Sequence, residues 1–279
     1  MITNILQALK DFVINYFNNF TQAEAVSMVI IISASVFFVI LERIIPYNEG
    51  QKIIREGFFN DLTLYTIAQS YILSIIIFGY LIYFIDHSTG ISRLKLFADV
   101  PIWIQLIFFT VTHDLYIYWM HRFQHRNKFL WRIHEAHHSP REVDWLSGSR
   151  SHAFEILINQ TVEFVPIILL GSPVEVVAYK GVISAVWGMY IHSNIKINSG
   201  RFQLFINGPE MHRWHHANKD EKAYNKNFST KLAVWDWFFG TAYFPERKFA
   251  QYYGLSDVNF PKNYLKQFFF AFRKFDKEN

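Results

Sequence analysis

From Leu62 to Ile85 the chain runs 24 residues without a charged side chain. A hydrocarbon layer about 30 Å thick is crossed by roughly 20 apolar helical residues. Only helices or closed barrels satisfy their backbone groups inside lipid. The run therefore predicts a membrane-spanning helix, and the neighbouring segments extend the pattern. Ala25–Leu41 is shorter but also uncharged, and reads as another span. Val100–Met120 begins as a span and then meets His113 and Asp114, which at that depth must face a bundle interior or a polar cavity. This helix is expected to run out of the bilayer and carry His121 and His125 at its far end. Ile156–Leu170 and Val174–Ile191 flank the turn signal Gly171-Ser172-Pro173 but contain Glu163, Glu175 and Lys180. They are expected to form a hairpin dipping into the membrane.

Composition agrees. Aromatic residues make up 19% of the 279 and charged residues only 18%, against roughly 25% charged in an ordinary soluble domain. Met1–Phe20 has apolar residues at helical spacing and reads either as an interfacial helix or as a frayed terminus. It shows neither a charged leader region nor a small-residue cleavage site, so no removable signal peptide is expected. Basic residues set the orientation: His121 to Arg150 contains Arg122, Arg126, Lys128, Arg132, Arg141 and Arg150, while the loop between the second and third spans has only Arg93 and Lys95. By the positive-inside rule the histidine region and the lysine-rich C-terminal stretch face the cytoplasm. The expected fold is an all-α polytopic membrane bundle of about four spans, the last two a hairpin, with a cytosolic helical cap rich in histidine. Residues 1–99 would form an N-terminal membrane region, 100–245 a catalytic domain and 246–279 a cytosolic tail.

Cysteine is absent, so disulfides, thiolate zinc sites and iron–sulfur clusters are excluded, and any metal must be held by nitrogen or oxygen. Eleven of the twelve histidines fall between positions 113 and 216. His121 and His125 are four apart, on one helical face. His134, His137 and His138 stand at i, i+3 and i+4, and MHRWHH repeats that spacing with His212, His215 and His216. A lone helical histidine is usually a packing residue, but two H-x-x-H-H units and one H-x-x-x-H point to metal. Eight or more imidazoles exceed one ion's capacity, so two metals are implied. Imidazole suits iron, zinc, copper and nickel alike. One alternative is that His134-Glu135-Ala136-His137-His138 is a zinc hydrolase H-E-x-x-H motif with Glu135 as base. The sister unit has Arg213 where Glu135 stands, and that alternative leaves the other histidines idle. A non-catalytic metal carrier is a third possibility.

At HRFQH, HEAHHS, SRSHAFE, MYIHSN, MHRWHH and the downstream WDWFFGT of Trp235–Thr241, the sequence resembles the fatty acid hydroxylase/sterol desaturase superfamily of integral-membrane di-iron enzymes. The resemblance spans about Val111 to Tyr243. It implies metal-binding roles for His121, His125, His134, His137, His138, His152, His192, His212, His215 and His216. His152 and His192 stand alone, and Ala153 follows His152 where many relatives place proline. His113 lies upstream of the matched boxes and reads as a buried helix histidine. Ligating imidazoles need an acceptor on the other ring nitrogen. Asp114, seven residues before His121 on the same face, is the first candidate; Asp236, Asp144 and Glu155 follow.

The resemblance implies two iron ions that use O₂ and two external electrons to hydroxylate or desaturate a lipid C–H bond, a reaction no side chain can drive. The choice of iron over zinc rests on the resemblance alone. The substrate would be an acyl chain, sterol or carotenoid entering from the bilayer. With no Gly-rich nucleotide motif and no cysteine cluster in the sequence, electrons are expected from a separate ferredoxin, cytochrome b5 or reductase, drawn to a basic face. Nothing points to nucleic acid.

Overall fold

In a computed structural model, residues 21–274 are described apart from 198, 219, 246, 247 and 258. The N-terminal stretch read as an interfacial helix lies outside the described residues. Among those described, regular structure is helical, with a single antiparallel bridge between Pro46 and Ile195.

Helix α1 (Gln22–Ile44) starts in a capping box: Glu24 N–H donates to the Thr21 hydroxyl, and the Glu24 carboxylate accepts from Thr21 N–H. Its outward face, including Val29, Ile32, Val36, Phe37 and Ile40, is exposed and apolar, and its inner face packs on α6. Helix α2 (Asn60–Thr89) contains the charge-free run and ends at Gly90 in the left-handed conformation. Helix α3 (Ile102–Arg126) carries the first histidine pair. One extended residue, Asn127, separates it from α4 (Lys128–His138) and caps α4 by accepting from Phe129 and Leu130 N–H. This tight break folds α4 back beside α3. The anticipated hairpin is α5 (Ala153–Leu169) and α6 (Val174–His192). Its tip needs glycine: Gly171 has φ +74°, and a Cβ there would lie 2.7 Å from the Lys95 backbone. Short helices α7 (Pro209–His216), α8 (Val234–Phe238) and α9 (Tyr264–Phe270) complete the chain.

Leu73, Ile77, Phe109, Phe164, Ile167 and Val176 form a core that joins α2, α3, α5 and α6. Three described helices, α1, α2 and α6, are long and apolar enough to cross a membrane, against the four or so spans expected. Helix α3 has the length, but its second half turns polar around His113 and Asp114. Residues 264–273 do not hang free. Tyr264 donates to Gln69, Tyr65 pairs with Gln267, and Arg273 grips Glu135 through both carboxylate oxygens at 2.8 and 2.7 Å.

Candidate metal centre

Helices α3, α4, α6 and α7 converge at one end of the bundle and bring nine of the ten predicted histidines together in two groups. His121, His125, His134, His138 and His215 form one; His137, His192, His212 and His216 form the other. Within each group, one nitrogen per ring lies within 4.8 Å of the rest. The division follows helix pitch. His134 and His138, one turn apart, face the first group, and His137 faces the second. In α7 the assignment is reversed: His212 and His216 face the second group and His215 the first. Each H-x-x-H-H unit thus gives its i and i+4 rings to one group and its i+3 ring to the other, and the two units exchange them reciprocally. His121 and His125 complete the first group, and His192, at the end of α6, completes the second.

Hydrogen bonds fix the tautomers. His121 Nδ1 donates to the Phe228 carbonyl at 2.7 Å, His192 Nδ1 to Gly188 at 2.8 Å and His215 Nδ1 to Lys226 at 2.9 Å. His134 Nδ1 lies 2.8 Å from the Glu155 carboxylate. A carbonyl can only accept, so at His121, His192 and His215 the proton sits on Nδ1 and the Nε2 lone pair faces inward. The Nε2 atoms then meet: His192 lies 2.9 Å from His212 and 3.3 Å from His137, His212 lies 3.1 Å from His216, and His215 lies 3.1 Å from His138. The Nε2 atoms of His121, His125 and His134 are buried without a hydrogen-bond partner. Burial, reinforced by the neighbouring imidazoles, holds His134, His137, His138, His212, His215 and His216 well below the usual imidazole range. A cage of neutral imidazoles with converging nitrogens is what a cationic metal satisfies. The donor set of nitrogen alone fits iron as well as zinc.

His152 stands apart from both groups. Its Nδ1 accepts from Phe154 N–H, capping α5, and its Nε2 donates to the Phe268 carbonyl at 3.1 Å while the ring stacks on Phe268. Both nitrogens are spent on holding α5 and α9, which corrects its expected place among the ligands. Asp114 and Asp236 are corrected as well. Seven residues put Asp114 on the face of His121 but about 10 Å along the axis. There it accepts from the Thr230 hydroxyl, Lys231 and Leu232 N–H, and the Trp235 indole. Asp236 accepts from Phe228 and Ser229 N–H and the Thr241 hydroxyl. Neither carboxylate meets an imidazole; both shape the 228–232 loop, whose Phe228 carbonyl in turn receives His121. Glu155, ranked lower from sequence, is the carboxylate on an imidazole.

Other supports were not legible beforehand. Gly148 lets His192 approach, since a Cβ there would sit 2.5 Å from His192 Nδ1. Arg213 is buried, donates to the carbonyls of Ser193 and Ile195, and lies 3.8 Å over the Tyr47 ring, so it secures the turn that follows His192. Arg55 bridges Asp61 and Asp144, and Arg150 also grips Asp61, tying the loop after α4 to α2.

Two cavities reach the imidazoles. One of about 230 Å³ lies among α3, α5 and α6 and touches His121, His134, His137, His192 and His212. The other, of about 390 Å³, reaches His125, His138, His215 and His216 between Arg126, Lys128 and Trp131.

Residues 106–241, which contain all nine grouped histidines, match the fatty acid hydroxylase family. The match places residues 106–241 in the fatty acid hydroxylase superfamily. It is 31% identical over 147 residues to an ornithine lipid hydroxylase of Rhizobium tropici, a match covering 53% of this chain and 44% of the relative. The human alkylglycerol monooxygenase is 29% identical over 128 residues, 46% of this chain and 28% of that protein. Methylsterol monooxygenase 1 of Rattus norvegicus is 27% identical over 133 residues, 47% of this chain and 44% of the relative. The matched stretch thus spans less than half the length of each of these relatives. No solved structure matches significantly.

Proposed function

We propose that this protein is a membrane-bound di-iron monooxygenase that hydroxylates, or desaturates, a lipid using O₂ and two external electrons. The observation that carries this reading is the gathering of nine imidazoles into two adjacent groups, six of them exchanged reciprocally between the two H-x-x-H-H units. His121, His125, His134, His138 and His215 would hold one ion, and His137, His192, His212 and His216 the other. Iron bound there supplies the oxidising power toward an unactivated C–H bond that side chains lack.

The chain's own residues set the conditions. Glu155 and the carbonyls of Phe228, Gly188 and Lys226 keep the rings oriented. In this reading the cavity among α3, α5 and α6 takes the lipid chain, with Ile117, Met120, Ile156 and Ile191 lining it beside the imidazoles. The relatives named as lipid hydroxylases and monooxygenases support a lipid substrate, whether acyl chain, sterol or another membrane lipid. The opening between Arg126 and Lys128 suits an acidic electron donor such as a ferredoxin, cytochrome b5 or reductase, and Trp131 lies 5.0 Å from His125 and 5.3 Å from His138 between ring centroids. The density of basic residues there favours the cytoplasmic face. In this reading residues 100–245 are the catalytic domain.

A zinc hydrolase using Glu135 is disfavoured, because that carboxylate is turned to Arg273 rather than to the imidazoles. The test is lipid mass spectrometry of cells expressing the protein or its His137→Ala variant. The expected result is a lipid that gains one oxygen, or loses two hydrogens, only with the intact protein. Identical lipid profiles would overturn the proposal.

A further inference from the structure

The cavity among α3, α5 and α6 has two polar ends. At one end are the imidazoles. At the other, α3, α5 and α6 each place a polar side chain eight residues from the site: His113 from His121, Glu163 from Glu155, and Ser184 from His192, and all six line the cavity. Eight residues correspond to about 12 Å of helix. Between the ends Ile117, Met120, Ile156 and Ile191 give most of the wall, with Asn159 and Gln160 also on the α5 side.

The far end is built and incompletely satisfied. The Glu163 carboxylate accepts from Lys180 and, at 2.5 Å, from Ser184, so its charge is compensated inside the hairpin. His113 is only 9% exposed, and neither ring nitrogen meets hydrogen-bond geometry, its polar neighbours being the Glu163 carboxylate, 3.6 Å from Nδ1, and the Asn159 backbone. Trp187, which also lines the cavity, has a buried indole N–H without an acceptor. Unmade hydrogen bonds on buried groups are costly, and intramembrane polar residues mark ligand positions. A neutral imidazole offers one donor and one acceptor, and the indole one donor. The matching ligand group both donates and accepts and carries no charge.

We propose that this end of the cavity receives the hydroxyl of a neutral lipid alcohol, bound by His113 and Trp187, so that the carbon presented to the imidazoles lies about 12 Å along the chain. The proposal deepens the lipid-oxygenase reading and rests on it for the fate of that carbon, but not for the binding itself.

The experiment is equilibrium binding of tritiated hexadecanol and tritiated hexadecane to the full chain in phosphatidylcholine vesicles, with metal content measured alongside. The intact protein is expected to retain the alcohol about tenfold more than the alkane, the scale of a buried hydrogen-bonded group. His113→Phe should abolish that preference with metal content unchanged, and His113→Gln, which keeps a donor and an acceptor, should restore most of it. Should His113→Phe fail to fold, Trp187→Phe gives the same readout with a reduced preference expected. Equal binding of alcohol and alkane by the intact protein, as for a cavity that holds only water, would overturn the proposal. So would a preference that survives both substitutions. A preserved preference in the intact protein, with no lipid oxidised in the presence of iron, reductant and O₂, would instead sink the oxygenase reading and leave the hydroxyl site standing.

Discussion

The Glu155 carboxyl on α5 and His134 Nδ1 on α4 meet in a hydrogen bond of 2.8 Å, both side chains being buried. Partners of this kind fix ring orientation and raise ligand basicity, and their loss typically costs about 10–100-fold in metal affinity. Glu155→Ala should lower metal affinity by that order, whereas Asp114→Asn, which leaves this bond intact, should lower it less. Metal titration of the purified protein by elemental analysis checks both.

His152 and His137 separate scaffold from site. His137→Ala should remove metal from its group, while His152→Asn should retain full metal content, because asparagine can still cap α5. The stability cost of His152→Ala should be about 1 kcal/mol, the usual worth of a helix cap. Metal stoichiometry alongside denaturation distinguishes the two positions.

Gly148 leaves no room for a methyl group beside His192. Gly148→Ala should displace that ring and reduce metal bound per chain, even though the substitution touches no ligand covalently. Retention of full metal content would show that the loop of residues 147–149 yields instead.

The Glu135–Arg273 pair predicts a structural phenotype. Arg273 remains partly exposed, which limits the pair's contribution to about 1 kcal/mol or less. Glu135→Gln should keep metal and oxidative activity and should make the C-terminal segment near α9 more sensitive to protease. Abolition of all activity with metal retained would return Glu135 to a catalytic role.

Chelation should destabilise the folded chain, since a ligand bound only to the native state adds stability by mass action. Readdition of ferrous iron should restore the melting temperature and about two ions per chain, while a chain lacking His137 should recover less.

The helical scaffold was largely legible because its signals are local. The charge-free run in α2, the Gly171-Ser172-Pro173 tip and the histidine spacings each need only a few consecutive residues. The carboxylate partner was harder to read, because Asp114 and Glu155 are both acids near histidines on helices. Which one meets an imidazole depends on how α4 lies against α5. The acceptors for His121, His192 and His215 are backbone carbonyls, which leave no mark on residue identity. His152 illustrates the converse: its residue type matched the pattern, but its position at the start of α5 diverts both nitrogens to other bonds.

The crossed allotment of rings between α4 and α7 has a consequence for how such a centre can change. Neither helix serves a group of its own, so neither group can be reshaped in isolation. Inserting a single residue within HEAHH or MHRWHH would turn a ring by about 100° and strip ligands from both neighbours together. The spacing of these six rings follows the pitch of two helices. The pair behaves like a clasp whose halves lock or fail as one.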